Sequence, residues 1–300
     1  MFGRLKIGTK ILFVTVGLLL LVIVLVSLVS DLSSRSAMEQ DTFSKLTAVR
    51  EMKAQQVEDY FDQIRNQVVT FSENSMIVEA TKVFKSDLSA LKTQTWFAMP
   101  VDASLNHSEQ SSQRDESYLH HLKDVGRELE AHYRKELLPR LMPNLDVDEI
   151  SALTFSLDQY LPKKEHGKIL QDLYISSNPN PTGEKHLLDR ADDGSSYSES
   201  HGRYHPIVRN YLERFGYYDI FIVDHETGEI IYSVFKEVDY VTSLLDGPYK
   251  DTNFARVFRA ARDADDKNFV SLVDFEPYYP SYGAWASFIA SPIFDGDRKI

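Results

Sequence analysis

The chain has 300 residues, a net charge of −12 and no cysteine. Its length allows one large or two modest domains, and a hydrophobic content of 43% is enough for a packed core. The acidic balance argues against nucleic acid as a partner, because phosphate contacts need clustered cations. The absence of cysteine excludes disulfides, thiolate metal ligands and thiol catalysis, and it is compatible with an oxidising compartment such as the periplasm.

An uncharged apolar segment lies close to the N-terminus. Residues 11–29 read ILFVTVGLLLLVIVLVSLV, about the length of ~20 residues that crosses a hydrocarbon core as a helix. Basic residues precede this segment and the first acidic residue, Asp31, follows it. The positive-inside rule therefore predicts a cytoplasmic N-terminus at 1–10, a transmembrane helix at 11–30 and the remaining chain outside. A cleaved signal peptide is the alternative, but the segment is longer than a usual signal core and no clear A-x-A site follows it.

Residues 31–99 contain no proline and are predicted to form a long amphipathic helix. Its hydrophobic residues alternate in spacings of four and three, which is typical of one helix face. The residues of this stripe are Val57, Phe61, Ile64, Val68 and Phe71. Two interpretations stay open, since the stripe can pack on its own domain or pair with a second subunit in a homodimer.

Residues 100–203 are predicted to form a subdomain of helices and loops. Pro100 ends the long helix, and the elements after it follow from polar composition and helical spacing. They are a polar loop at 106–116, helices at 118–138, from Asp146 or Asp148 to Leu161 and at 168–174, and a surface loop at 176–200.

Residues 204–300 begin with a helical pattern at 205–215 and then change to a strand-forming one. The segments YDIFIV (218–223) and EIIYSVF (229–235) flank the turn sequence DHETG, which predicts a β-hairpin. The elements predicted after it are a helix at 251–264, strands at 269–275 and 284–293, a turn at 295–297 and the start of a fifth strand at 298–300. The fold class is therefore α+β.

This order of elements behind a membrane-emergent helix resembles the Cache domain, the extracellular PAS-like sensor of bacterial transmembrane receptors of the methyl-accepting chemotaxis type. The segments that carry the resemblance are YISSNPNPTGEK (174–185), YYDIFIVDHETGEIIYSVFKEVDY (217–240), LLDGPYKDTN (244–253) and DFEPYYPSYGAWASFIASPIFDGD (274–297). The resemblance implies an antiparallel PAS-like sheet whose fifth strand lies between the first and the fourth, and of which this chain holds only residues 298–300. It also implies anchoring in a bacterial inner membrane with the bulk of the chain in the periplasm.

Two functions follow as hypotheses. The first is a receptor that binds a small molecule and signals across the membrane to a methyl-accepting, cyclase or kinase module that this chain does not contain. Such signalling requires only that the ligand prefer one of two helix arrangements. The alternative is a membrane-anchored docking module without a small-molecule ligand, for which we expect an exposed apolar patch and a filled core.

No catalytic residue, cofactor or metal site is predicted. The chain lacks a nucleophile elbow, a phosphate-binding loop, a dinucleotide fingerprint and a zinc-protease helix motif. His201 and His205 are four residues apart in HGRYH, a spacing that suits a metal only on a helix. Gly202 and the loop before it argue against a helix, so we expect structural or exposed histidines.

The predicted ligand site consists of two connections that, in a Cache fold, close over one face of the sheet. One is KEVDY at 236–240, and the other joins the third and fourth strands at 274–282. A small polar ligand needs such convergent polar groups in an apolar cleft. The predicted ligand-binding residues are Tyr232, Lys236, Glu237, Asp239, Asp274, Tyr278, Ser281, Trp285 and Ser287.

Each of these residues also has a structural interpretation. Tyr278 can shape a turn, and Lys236 can form a surface ion pair with Asp239 of small consequence. The sequence does not decide which sheet face carries the ligand. The amino-acid signature of Cache domains has Trp and Tyr after an Arg, but Arg209 is followed by Asn210 and Tyr211. The resemblance therefore does not support an amino acid as the ligand.

Overall fold

The computed structural model describes residues 6–144 and 157–300. The chain divides into two compact units, residues 1–64 and 65–300. The first helix, α1 (Ile7–Ser72), begins in the first unit and ends in the second.

The first unit consists of α1 throughout its described residues. The apolar segment at 11–29 is exposed along its whole length, and in the described part of the chain α1 is the one helix long and apolar enough to cross a membrane. Beyond this segment, α1 keeps large apolar side chains in solvent, among them Leu46, Val49 and Val57. The predicted membrane span is therefore helical and carries an unburied apolar surface.

The helix predicted for residues 31–99 is divided. α1 ends at Ser72, and α2 (Ser75–Ala98) begins after Asn74. Asn74 has an extended backbone, with φ −65° and ψ 126°, and its side-chain oxygen accepts a hydrogen bond from the Met76 N–H. This N-cap satisfies one of the free donors at the start of α2, so the chain turns without a proline or glycine.

The predicted polar loop at 106–116 is wrong, because α3 (His107–His132) begins directly after Asn106. Asn106 accepts a hydrogen bond from the Glu109 N–H at 3.0 Å, and the Glu109 carboxylate accepts one from the Asn106 N–H at 3.1 Å. This reciprocal capping box stabilises the start of a helix whose composition is that of a loop.

Short helical elements continue the second unit. They are a π-helical turn at Tyr133–Leu137, α4 (Leu138–Leu141), 3₁₀ turns at Met142–Asn144, Leu157–Tyr160 and Lys185–Leu187, α5 (Glu165–Gln171) and a π-helical turn at Asp172–Ser176. The predicted helix start at Asp146 or Asp148 lies outside the described residues. The next long helix, α6 (Ser196–Phe215), starts earlier than predicted, because Ser195 accepts a hydrogen bond from the Ser198 N–H and caps it.

The predicted β-hairpin is confirmed. β1 (Phe221–Val223) pairs antiparallel with β2 (Ile230–Ser233). Asp224 organises the turn between them by accepting from the Glu226 N–H and the Thr227 hydroxyl. The predicted helix after the hairpin is present as α7 (Asn253–Asp263).

The remaining strands pair as hairpin-like ladders rather than as one sheet. β3 (Ser271–Leu272) pairs with β6 (Ile289–Ala290), β4 (Glu276–Tyr278) with β5 (Ala284–Ala286), and β7 (Phe294–Asp295) with β8 (Arg298–Lys299). Within the described residues, no ladder joins β1 to β6. The predicted start of a fifth strand at 298–300 folds back on β7 around the turn at Gly296, where φ is +64°. The α+β class therefore holds, whereas the strands at 6–144 and 157–300 form four two-stranded ladders and not one five-stranded sheet.

Phe84 of α2 lies at the centre of the helical core of the second unit. It is fully buried, stacks on Tyr232 of β2 at 5.2 Å between ring centroids and packs against Tyr197 of α6 at 5.2 Å. A second cluster lies around α7, where Phe254 stacks on Phe288 at 4.6 Å. Aromatic contacts thus fix β2 against α2 and α6.

Phe84→Ala should destabilise the chain by about 3–5 kcal/mol, because it removes a buried ring and leaves a cavity. Leu119→Ala, at an exposed position of α3, is the matched control and should change stability by less than about 0.5 kcal/mol. Urea unfolding of the detergent-solubilised chain measures both. Equal effects of the two substitutions would contradict the described core.

Candidate functional site

The segment after β2 is buried. The side chains of Lys236, Glu237 and Asp239 have exposed fractions of 2%, 7% and 0%. The surface ion pair considered for Lys236 and Asp239 is therefore wrong. Within the described residues, no salt bridge below 4.0 Å involves any of these three side chains. Three ionisable groups are thus buried in one short loop without oppositely charged partners in contact.

The backbone of this site is strained. Lys236, Val241 and Tyr282 have φ angles of 61°, 56° and 59°, and they are the non-glycine residues with positive φ in the described part of the chain. The conformation is especially unfavourable for β-branched valine. Each such residue costs about 1–3 kcal/mol and persists only where its surroundings impose it. Lys236 and Tyr282 lie in the two predicted connections and Val241 directly follows the first, which marks this region as the candidate site.

The ammonium group of Lys236 lies among three tyrosine rings, here called the tyrosine cage. Its Nζ is 4.9 Å from the ring centroid of Tyr232, 5.4 Å from Tyr240 and 5.7 Å from Tyr174, all within the ~6 Å at which a cation interacts with a ring. Nζ donates hydrogen bonds to the backbone carbonyls of Ser233 and Val234. Burial lowers the pKa of Lys236 to about 7, while Asp219 acts in the opposite direction.

Hydrogen bonds hold the cage rings in place. The Tyr197 hydroxyl donates to the Ile231 carbonyl at 2.8 Å, so it accepts the second bond, at 2.6 Å, from the Tyr240 hydroxyl. The Tyr174 hydroxyl donates to Ser198 Oγ at 3.1 Å. α6 therefore positions two of the three rings through Tyr197 and Ser198.

Two buried histidines of α6 pack beside the cage, with their rings stacked at 4.3 Å. His205 Nε2 donates to the His186 carbonyl at 2.7 Å, so its Nδ1 accepts from the Tyr232 hydroxyl at 2.8 Å. His201 Nδ1 donates to the Asp189 carbonyl at 2.5 Å, which leaves Nε2 as an acceptor without a partner among the described residues. Burial lowers the pKa of His205 to about 2 and that of His201 well below its usual range.

The expectation that HGRYH is not helical is wrong, since both histidines lie within α6. Ser195, which caps the helix, was the sequence signal for a helix start at this position. The serine-rich residues around it are typical of a loop, so no helix start was predicted there. No group of three metal-ligating side chains occurs in the ranges that the structure describes. The two rings stack and bond to carbonyls, which is the structural role expected of them.

The two carboxylates of the loop bond to the second connection. Glu237 accepts from the hydroxyls of Tyr218 and Ser281, each at 2.7 Å, and Asp239 accepts from the Tyr278 hydroxyl at 2.6 Å. The other oxygen of Asp239, Oδ1, is buried without a hydrogen-bond partner in the described chain. Burial raises the pKa of Asp239 to about 7 and that of Glu237 well above its usual range.

Asp219 supports this loop from the start of β1. Its carboxylate accepts from Ser233 Oγ at 2.8 Å and from the backbone N–H groups of Val234 and Phe235 at 2.9 and 3.1 Å. Burial raises the pKa of Asp219 to about 6, and these hydrogen bonds act against the rise. An acidic residue within the apolar run YYDIFIV was the sequence signal for this role.

The structure brings together most, but not all, of the predicted site residues. Tyr232, Lys236, Glu237, Asp239, Tyr278 and Ser281 form the connected cluster. Asp274 is exposed, Trp285 is 68% exposed, and Ser287 donates to the Val273 carbonyl at 2.6 Å. These last three residues do not join the cluster.

An apolar cavity of about 400 Å³ lies beside β1, β5 and β6 and adjoins the cluster. Of the predicted residues, Tyr278, Ser281, Trp285 and Ser287 line it. Its volume falls within the range of ~300–1,000 Å³ that is usual for ligand sites. The second unit thus offers two candidate positions for a ligand, the polar loop and this cavity.

No family model matches the chain, and neither a curated protein nor a solved structure is detectably similar to it.

The buried ionisable groups should give the chain a stability minimum near pH 7. The pKa of Asp239 is about 7 when folded and about 3.9 when unfolded, so the folded state holds the proton more tightly. Stability then falls as pH rises from about 4 to about 7. Lys236, with a pKa of about 7 when folded and about 10.4 when unfolded, releases its proton first in the folded state. The stability of the folded chain therefore rises again from about pH 7 to about pH 10.

Urea unfolding between pH 4 and pH 10 measures this profile. Asp239→Asn should reduce the fall on the acidic side by at least about 1 kcal/mol, and Lys236→Met should remove the rise on the alkaline side. Asp274→Asn, at an exposed carboxylate, is the control and should leave the profile unchanged. A stability maximum near pH 7 that both site variants retain would contradict the burial described.

Proposed function

We propose that the chain is the extracytoplasmic ligand-sensing region of a membrane-anchored signal-transduction receptor of the chemoreceptor type. α1 supplies an apolar segment suited to a membrane span, and the unit at 65–300 carries the buried polar loop. The observation that supports the proposal most strongly is this loop, in which Lys236, Glu237 and Asp239 are buried without ion-pair partners between the strained positions Lys236 and Val241.

The cost of this arrangement argues for a ligand. A buried charge without a partner costs several kcal/mol, and buried polar groups can often be replaced by apolar ones without loss of stability. Positive φ at Lys236 and Val241 adds further strain. The hydrogen bonds that Glu237 and Asp239 accept, and the ring contacts of Lys236, offset part of this cost. A loop that binds a polar molecule gains convergent polar groups in an apolar environment.

We place the ligand at the loop rather than in the apolar cavity. The loop brings buried ionisable side chains together, whereas mostly apolar side chains line the cavity. Convergent polar groups are what fix the orientation of a small polar ligand.

Signalling in this proposal proceeds through α6 to the end of α1. α6 carries His201 and His205 beside the cage, and its Tyr211 packs on Phe71 of α1 at 4.6 Å between ring centroids. The Tyr217 hydroxyl donates to Gln67 Oε1 at 2.6 Å. A ligand that prefers one arrangement of these contacts shifts the equilibrium between two arrangements of α1. The exposed apolar residues of α1, including Leu46 and Val57, support a homodimer through this helix.

A docking module is the second candidate, because two large apolar side chains are unburied near β4 and β5. Phe275 is 59% exposed and Trp285 is 68% exposed. Exposed apolar patches often mark protein–protein contacts. The buried, charged loop has no role in that function, and we therefore rank the receptor first.

A thermal-shift screen of small metabolites on the detergent-solubilised chain tests the receptor proposal. A specific ligand at a hundredfold excess over its Kd should stabilise the folded state by about 2.7 kcal/mol. Lys236→Met and Asp239→Asn should abolish this shift, while Asp274→Asn should retain it. A folded chain that shifts with no organic acid, amine, purine or cation would favour the docking module.

Cysteine labelling tests the membrane topology, since the natural chain has no cysteine to interfere. In intact bacterial cells, a membrane-impermeant maleimide should label Gln55→Cys, and it should label Gly8→Cys only after lysis. The reverse pattern would contradict the orientation. Recovery of the labelled domain in the soluble periplasmic fraction would instead indicate that the apolar segment is cleaved.

A further inference from the structure

We propose that the tyrosine cage binds the ammonium group of a primary alkylamine and that Lys236 occupies the cage when this ligand is absent. The inference rests on the proposed sensor function and names its ligand class. It stands on the geometry of the cage, on the unpartnered acceptor beside it and on the backbone conformation of Lys236.

The cage has the chemistry of a cation site. Tyr174, Tyr232 and Tyr240 place three ring faces within 6 Å of one ammonium nitrogen, where their negative faces attract positive charge. The carboxylate of Asp219, which is half-buried nearby, adds an attractive charge. Arg209 acts in the opposite direction. An anion or a neutral molecule gains little from these surroundings.

The acceptors around the cage favour an ammonium group that carries N–H donors. The carbonyls of Ser233 and Val234 accept hydrogen bonds from Lys236 Nζ. His201, whose ring lies 4.5 Å from that of Tyr174, has a buried Nε2 acceptor that neither Lys236 Nζ nor any other group of the described ranges contacts by a hydrogen bond. A primary ammonium has three donors for these acceptors, whereas a quaternary ammonium has none. The site therefore suits a primary amine better than a choline-like ligand.

Lys236 is suited to leave the cage. Its backbone has φ 61°, and its ammonium bonds to the carbonyls of Ser233, the last residue of β2, and Val234. Its departure therefore breaks two hydrogen bonds to neighbouring residues and none to a residue remote in sequence. A void of about 20 Å³, room for about one water molecule, adjoins Lys236 and Glu237 and is lined in part by Gly183 and Tyr282, so the lysine leaves only if the loop rearranges. When an alkylamine takes the place of Lys236 in the cage, one ammonium group replaces another. The charge beside Asp219 and the neutral histidines is therefore unchanged.

A cavity variant tests whether the cage accepts an external ammonium. Lys236→Gly removes the side chain and suits positive φ, and n-butylammonium has the same carbon and nitrogen atoms as the part that is lost. At a hundredfold excess over its Kd, n-butylammonium should raise the unfolding midpoint of the detergent-solubilised variant by about 5 °C. n-Butanol and tetramethylammonium should not. Lys236→Met, whose side chain fills the cage, should not respond to n-butylammonium.

The unmodified chain tests whether a ligand displaces the lysine, and it decides the matter if Lys236→Gly fails to fold. At least one member of a panel of primary alkylamines and diamines should raise its midpoint. Tyr240→Phe retains the ring face and should bind the same amine within about twofold, whereas Tyr240→Leu should weaken binding about tenfold.

Several outcomes would overturn the inference. n-Butanol or tetramethylammonium acting as well as n-butylammonium would show that the cage does not select a primary ammonium. Rescue of Lys236→Gly without any amine response of the unmodified chain would show that the lysine is a permanent occupant. If another class of metabolite then shifts the unmodified chain and fails with Asp239→Asn, the amine inference is wrong and the sensor proposal stands.

Discussion

The burial of the Lys236 ammonium among three tyrosine rings is the interaction on which the second unit depends. The three rings that contact it belong to Tyr232 on β2, Tyr174 after α5 and Tyr240 at the end of the loop. Those rings in turn require partners on α2 and α6, through Phe84 and Tyr197. The Lys236 ammonium thus links the loop after β2 to α2 and α6 through these rings.

Patterns confined to neighbouring residues predicted local structure well. The β1–β2 hairpin and α7 follow from strand-forming runs, a DHETG turn and helical spacing. Predictions from amino-acid composition were wrong at two helix starts. There the N-caps Asn106 and Ser195 begin helices in segments whose residues are typical of loops. Strand pairing also failed, since it depends on contacts between distant segments. The pattern indicates that residues 284–293 are extended, but it does not indicate that they divide into β5 and β6 with different partners.

The candidate site was predictable only in part. The loop at 236–240 and the connection at 274–282 were identified from charges beside aromatics and prolines, and Glu237 and Asp239 do bond to Ser281 and Tyr278. The sequence gives no measure of burial, so the choice between a surface ion pair and a buried cluster stayed open. Tyr174 and Tyr197 were missed as site residues, because they reach the cage from helical elements remote in sequence. His201 was considered only for its metal-like spacing from His205, and that spacing does not indicate a place beside the cage.

Lysine footprinting tests most directly the claim that Lys236 is a displaceable occupant of a ligand site. An acylating reagent also reacts with a free amine ligand, so it is added in large molar excess over that ligand. It should modify Lys135, whose side chain is 83% exposed, rapidly with and without the ligand. The account predicts that Lys236 is protected in the free chain and becomes reactive when an amine ligand binds, as read by mass spectrometry of the tryptic peptides. Modification of Lys236 at the rate of Lys135 in the free chain, or protection that no ligand changes, would contradict it.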